Sequence, residues 1–201
     1  MDAEDWDERY AASELVWSRD PNQFVAAELA DLPTGTAVDL AAGEGRNAIW
    51  LASRGWSATA VDFSQVALDK GARLAAEAGI DVTWVCADAT TWQPPAPVDL
   101  VVVAYLQLPA DDRRRAVRSA GRMLAPGGTL LLVAHDSTNL TEGTGGPQDP
   151  AVLMTAEEVL GDLDGERFEV RRAERVPREV AQPDGSTRTA YDALVRVVRS
   201  D

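Results

Sequence analysis

The chain has 201 residues, 45% of them hydrophobic and 26% charged, and 33 acidic against 19 basic side chains leave a net charge of −14. That supplies a core of ordinary domain size, while no run approaches the ~20 apolar residues of a membrane span. So acidic a chain gains nothing from a phosphate backbone, which argues against nucleic acid as a partner.

One cysteine, Cys86, excludes an internal disulfide and any multi-cysteine metal site. With an acidic N-terminus that lacks the basic and apolar regions of a secretory signal, it points to the cytoplasm. Oligomeric state is not legible in the sequence. Lys70 is the single lysine, and the arginine-rich run at 111–122 reads as the solvated face of a helix.

In chain order, Trp6, Tyr10 and Trp17 fall at near-helical spacing in the first segment. Asp20 as N-cap with Pro21 at the first helical position predicts a second helix. Alternating units follow: a strand at 36–40, a helix near 46–54, a strand at 57–63, and a helix opened by Ser64 and closed by Gly79. A third strand is expected at 81–86, and the apolar run at 98–105 reads as a strand buried on both faces. A helix over 110–124 leads through Pro126-Gly127-Gly128 to a strand at 129–135.

Residues 137–150 are rich in Gly, Pro, Asn and Asp and read as a long, lid-like loop. Thr155 and Glu158 form a capping box for one more helix. Two β-rich runs, 166–176 and 189–199, flank a turn at 183–186 and pair antiparallel. The fold class is α/β: a doubly wound, mostly parallel seven-stranded sheet with an antiparallel edge.

The stretch "VDLAAGEGRNAIWLASRGWSATAVDF" at 38–63 runs strand, glycine turn, helix, strand. In such a sheet the ligand lies beyond the carboxyl ends of the strands. Gly43 and Gly45 admit close backbone approach, and Asp62 can accept from both hydroxyls of a ribose. Alone, this motif also fits a dinucleotide. Asp39 and Glu44, however, put negative charge where a pyrophosphate would lie, and suit a ligand bearing an ammonium and a sulfonium. Asp88, ending the third strand, can accept from an adenine amino group.

The combination resembles the class I S-adenosylmethionine-dependent methyltransferases, and within them the tellurite-resistance and thiopurine methyltransferase branch. The carrying residues are "VDLAAGEGRN", "VDFS", "ADAT", "VDLVVVAYLQLP" and "LAPGGTLLLV". The resemblance implies a single methyltransferase domain over 1–201, with a helical cover at 1–33 and an α/β core at 34–201. It implies S-adenosyl-L-methionine as cofactor, bound by Trp6, Tyr10, Trp17, Ala41, Gly43, Arg46, Asp62, Phe63, Asp88, Ala89 and Ala104. The family usually has glycine at the position of Ala41; alanine is expected to be tolerated unless φ is positive.

The expected reaction moves a methyl group to a small-molecule nucleophile with a sulfur, selenium, tellurium or oxygen acceptor atom, positioned near Tyr105 and Leu108. A sulfonium is already a good leaving group, so alignment carries most of the work. The sole histidine, His135, ends the fifth strand and reads first as a strand-end histidine bonded to the loop backbone; it is also the candidate general base, with Asp136 to orient it. Two other functions remain open on the residues alone: an NAD-dependent oxidoreductase and a cofactor-binding module without catalysis.

Overall fold

The computed structural model describes residues 3–13, 15–182 and 184–201. Glu14, in the aromatic first segment, and Pro183, in the expected hairpin turn, lie outside the described residues, as do Met1 and Asp2 of the acidic N-terminus.

Among the described residues, strands β1 (Thr36–Leu40), β2 (Ser57–Asp62), β3 (Thr83–Cys86), β4 (Val98–Ala104), β5 (Leu124–His135), β6 (Phe168–Ala181) and β7 (Thr187–Arg199) form one sheet. Its order is β3-β2-β1-β4-β5-β7-β6. β1 to β5 pair in parallel, whereas β7 runs antiparallel to both β5 and β6. The β6–β7 hairpin therefore makes the antiparallel margin of the expected sheet. Chain order reverses between β1 and β4, which is where such a sheet opens a crevice.

Side chains alternate across the pleat. Val38, Leu40, Val101, Val103, Leu130 and Leu132 face α5 (Ala110–Met123) and α6 (Ala156–Asp162). Ala37, Leu100, Val102, Leu131 and Val133 face the other way, toward α2 (Gln23–Leu29), α3 (Arg46–Ser53) and α4 (Gln65–Glu77). Both faces are covered, which is why these strands read as apolar runs. Helix α1 (Ala3–Ala11) lies outside the two layers against α4. No helix among the described residues is long and apolar enough to cross a membrane.

Several elements depart from expectation for local reasons. α2 starts later than Pro21 because Asn22, not Asp20, caps it: its side-chain oxygen accepts from the amides of Phe24 and Val25. β5 begins at Leu124, ahead of Pro126-Gly127-Gly128, because Leu124 already pairs with Val98 across a register shift. β6 extends through Pro177, tolerated because β6 is an edge strand.

The arginine run is only partly solvated. Arg113 is buried, with its Nε 2.6 Å from Asp162 at the end of α6, and Arg118 donates to the Asp162 carbonyl. Cys86 is exposed, since β3 is the other edge, and its thiol donates to the Phe63 carbonyl at 3.4 Å.

Candidate active site

The strands flanking the reversal, β1 and β4, run directly into Ala41 and Tyr105. These are the two non-glycine residues with positive φ among the described residues, at 55° and 61°. Left-handed backbone costs a residue with a Cβ roughly 1–2 kcal/mol, and strain of this kind concentrates at ligand-binding sites. The alanine expected to keep ordinary geometry thus adopts the conformation that favours glycine.

Around the glycine turn, Gly43 and Gly45 are left-handed as well, with φ of 57° and 73°. Asp62 ties this turn to β2: its Oδ2 accepts from the Gly43 amide at 2.8 Å and its Oδ1 from the Ser64 amide at 2.9 Å. Burial raises the Asp62 carboxyl above its ordinary range, against the pull of those amides. Asp39 is buried beneath the same turn and accepts from the Ala48 amide at 3.1 Å, capping the first turn of α3, whose N-cap Gly45 offers no side chain. Burial pushes its pKa up to about 7, with the Ala48 amide and Arg46 acting in the opposite sense.

Glu44 does not face a ligand. Its carboxylate accepts from the Val16 and Trp17 amides at 3.1 Å and pairs with Lys70 at 3.4 Å. Lys70 also donates to the carbonyls of Tyr10 and Ser13. The chain's single lysine and a buried glutamate therefore clamp the N-terminal segment over the glycine turn. Within that segment Trp17 donates to the Tyr10 hydroxyl at 3.2 Å, and the Trp6 and Tyr10 rings lie 5.5 Å apart. Tyr10 is buried, which pushes its pKa up to about 12. Arg46 donates to Ser18 and lies 5.9 Å from the Trp17 ring, and its burial lowers the guanidinium pKa from its ordinary value.

A cavity of about 400 Å³ opens beside this turn, lined by Ala41, Phe63, Asp88, Ala89 and Leu108 together with Leu106 and Arg115. Asp88 uses Oδ1 to accept from the amide and hydroxyl of Thr90. Ala104, by contrast, packs on the core face shared with α2 and α3.

At the ends of β4 and β5 a second group assembles. The Tyr105 and His135 rings lie 4.6 Å apart. Asp136 does not orient the histidine; its carboxylate caps the 3-10 turn at Ser137–Leu140 by accepting from the Thr138 amide and hydroxyl. The acid beside His135 is Asp192, brought there by the β5–β7 register, with Oδ1 3.5 Å from Nδ1. Its Oδ2 accepts from Arg178 Nε at 2.7 Å and from the Tyr105 hydroxyl at 3.1 Å. Burial alone would raise the Asp192 carboxyl, but His135 and Arg178 carry it below its ordinary range. Burial likewise pushes Tyr105 up to about 12.

The sequence reading missed Asp192 and Arg178. A lone aspartate inside the apolar strand "YDALV" was the available signal. The expected loop also lies against this group: the Asn139 side chain bonds both backbone groups of Tyr191, and a Cβ on Gly146 would lie 2.8 Å from the His135 ring.

Residues 37–128 match the family described as "Methyltransferase domain". Over that stretch the chain carries a methyltransferase domain. Among curated proteins, it is 25% identical to thiocyanate methyltransferase 1 of Brassica oleracea over 162 residues, 77% of this chain and 70% of that one. The fold is shared with TehB from Haemophilus influenzae, at a TM-score of 0.74 and 15% identity over 90% of this chain and 63% of that one. It is shared also with the N-methyltransferase NodS from Bradyrhizobium japonicum, in complex with S-adenosyl-L-homocysteine, at 0.73 and 19% identity over 98% of each chain.

Proposed function

We propose that this methyltransferase transfers the methyl group of S-adenosyl-L-methionine to a small-molecule nucleophile with a sulfur, selenium, tellurium or oxygen acceptor atom. The observation that carries this reading is the cavity at the β1–β4 reversal. Its walls are apolar at Ala41, Phe63, Ala89 and Leu108 and acidic at Asp88, which suits an adenine with its exocyclic amine. Asp62 stands at the adjoining turn as a buried acceptor with lone pairs beyond its two backbone bonds. Gly43 permits close approach, Arg46 offers its positive charge to the carboxylate of an amino acid, and Trp6, Tyr10 and Trp17 cover the turn. Together these residues fit the cofactor.

Once bound, the cofactor supplies an activated methyl group on a sulfonium. The chain's task is to hold the acceptor in line and keep water out, with Tyr105 and His135 on the acceptor side. The name of the Brassica relative favours a sulfur nucleophile, and the fold shared with TehB fits the tellurite-resistance branch. The test is twofold. S-adenosylhomocysteine should raise the melting temperature, because a ligand specific to the native state adds stability, and NAD should not. A panel of thiol, thiocyanate, chalcogen-oxide and phenol acceptors should then release S-adenosylhomocysteine with at least one member. A shift with NAD and none with S-adenosylhomocysteine would overturn the reading.

A further inference from the structure

Two buried polar atoms face each other across 3.5 Å without a hydrogen bond: His135 Nδ1 and Asp192 Oδ1. An orphaned buried polar atom costs about 1–3 kcal/mol, and here a small rotation of the imidazole satisfies both at once. Asp192 cannot turn away, because its Oδ2 is held by Arg178 and Tyr105. His135 cannot withdraw either: Tyr105 packs on one side, Gly146 closes on the ring, and Gln107 holds its backbone amide. Yet 17% of its side chain stays exposed while Nδ1 is buried.

We propose that Asp192 receives the Nδ1–H of His135, leaving Nε2 bare toward the cleft to take the proton of a neutral thiol or hydroxyl acceptor. This deepens the methyltransferase reading and rests on it: the acceptor class is protic. A site serving an acceptor that is already an anion gains nothing from a buried carboxylate behind an imidazole. In the transfer, the acceptor's X–H bond breaks with its electron pair left on X, and the proton passes to Nε2. The pair on X forms the bond to the methyl carbon as the S–C pair is released to sulfur. The imidazolium, flanked by the Asp192 carboxylate, then returns the proton to solvent. Asp192 is a positioning residue in this scheme.

His135 is the only histidine of the chain, so its ring nitrogens give an unambiguous ¹⁵N NMR signature in the full-length protein. The neutral ring of wild type should carry its proton on Nδ1; a proton on Nε2 overturns the proposal without any variant being made. Asp192→Asn supplies the second arm. Arg178 and Tyr105 both donate to the Oδ2 position, so the asparagine oxygen must sit there and its NH₂ must face Nδ1. Nδ1 then becomes an acceptor, and the proton moves to Nε2.

With 2-mercaptoethanol as acceptor, kcat of the folded variant should fall by about 10²–10⁴-fold, the range for losing a general base. With thiocyanate, an anion already, it should fall by less than about 3-fold, since no proton transfer is lost. Equal losses on both acceptors overturn the proposal. Calorimetry with S-adenosylhomocysteine keeps the two readings apart: lost binding in wild type strikes at the methyltransferase reading, whereas normal binding with an Nε2–H ring strikes at this one.

Discussion

The Tyr10 hydroxyl rests on Gly43: a Cβ at that glycine would lie 2.6 Å from the phenol oxygen. The absence of a side chain therefore lets the α1 segment fold directly over the turn. Gly43→Ala adds left-handed strain at φ 57° to a steric conflict with Tyr10. Taking the two together as about 2 kcal/mol, the melting temperature should drop by about 4–8 °C for a chain of this size. Adding Tyr10→Phe should restore part of that loss, because the two sites share one contact. Purely additive losses in a thermal-unfolding cycle would show that they do not touch.

Ala41→Gly should act in the opposite direction. At φ 55° the alanine pays for a left-handed backbone, while glycine loses roughly 0.5–1 kcal/mol in chain entropy. The balance favours glycine by up to about 1 kcal/mol, a gain of about 2–4 °C. A lower melting temperature for the variant would mean that the methyl group's packing outweighs the strain.

Asp62→Asn keeps the shape of the side chain and removes its charge. Hydrogen bonds to charged groups contribute about 1.5–3 kcal/mol, so S-adenosylhomocysteine should bind about 10–100-fold more weakly by calorimetry. Unchanged affinity in the folded variant would place the ribose elsewhere.

Asp39 makes stability depend on pH. Burial pushes its carboxyl up to about 7 in the fold, from the ordinary 3.8. Between those values the folded chain holds a proton that the unfolded chain has lost, so this group's contribution falls as pH rises through that window and levels off above it. Asp39→Asn retains an oxygen for the Ala48 amide and never ionises. The variant should melt above wild type at pH 8, with the gap shrinking as pH falls and closing near pH 4. Parallel pH profiles for the two proteins would refute the buried-carboxyl account.

Much of the sheet was legible because strands buried on both faces write themselves as apolar runs: β1 and β4 begin where the sequence places them. The capping box of Thr155 and Glu158 forms as read. Ala41 was identified as the departure from glycine, but its φ was not, since a dihedral is set by the turn rather than by residue type. Glu44 read as a charge facing a ligand because nothing local reveals a partner 28 residues away at Val16. Asp192 stayed hidden for the same reason. Only the register of β7 against β5 puts it opposite His135, 57 residues earlier in the chain.

Because β7 runs against its neighbours, its opening half rather than its end reaches the rim of the crevice. The left half of the sheet, β1 to β3, presents the glycine turn, Asp62 and Asp88. The right half, β4 to β7, presents Tyr105, His135, Asp192 and Arg178. On the proposed reading, the donor side is written mainly before Tyr105 and the acceptor side mainly after it, with Leu106, Leu108 and Arg115 reaching back to line the donor cavity. Exchange of β5 to β7 for those of a relative is a route to a new acceptor that leaves Leu106, Leu108 and Arg115 of the cavity in place.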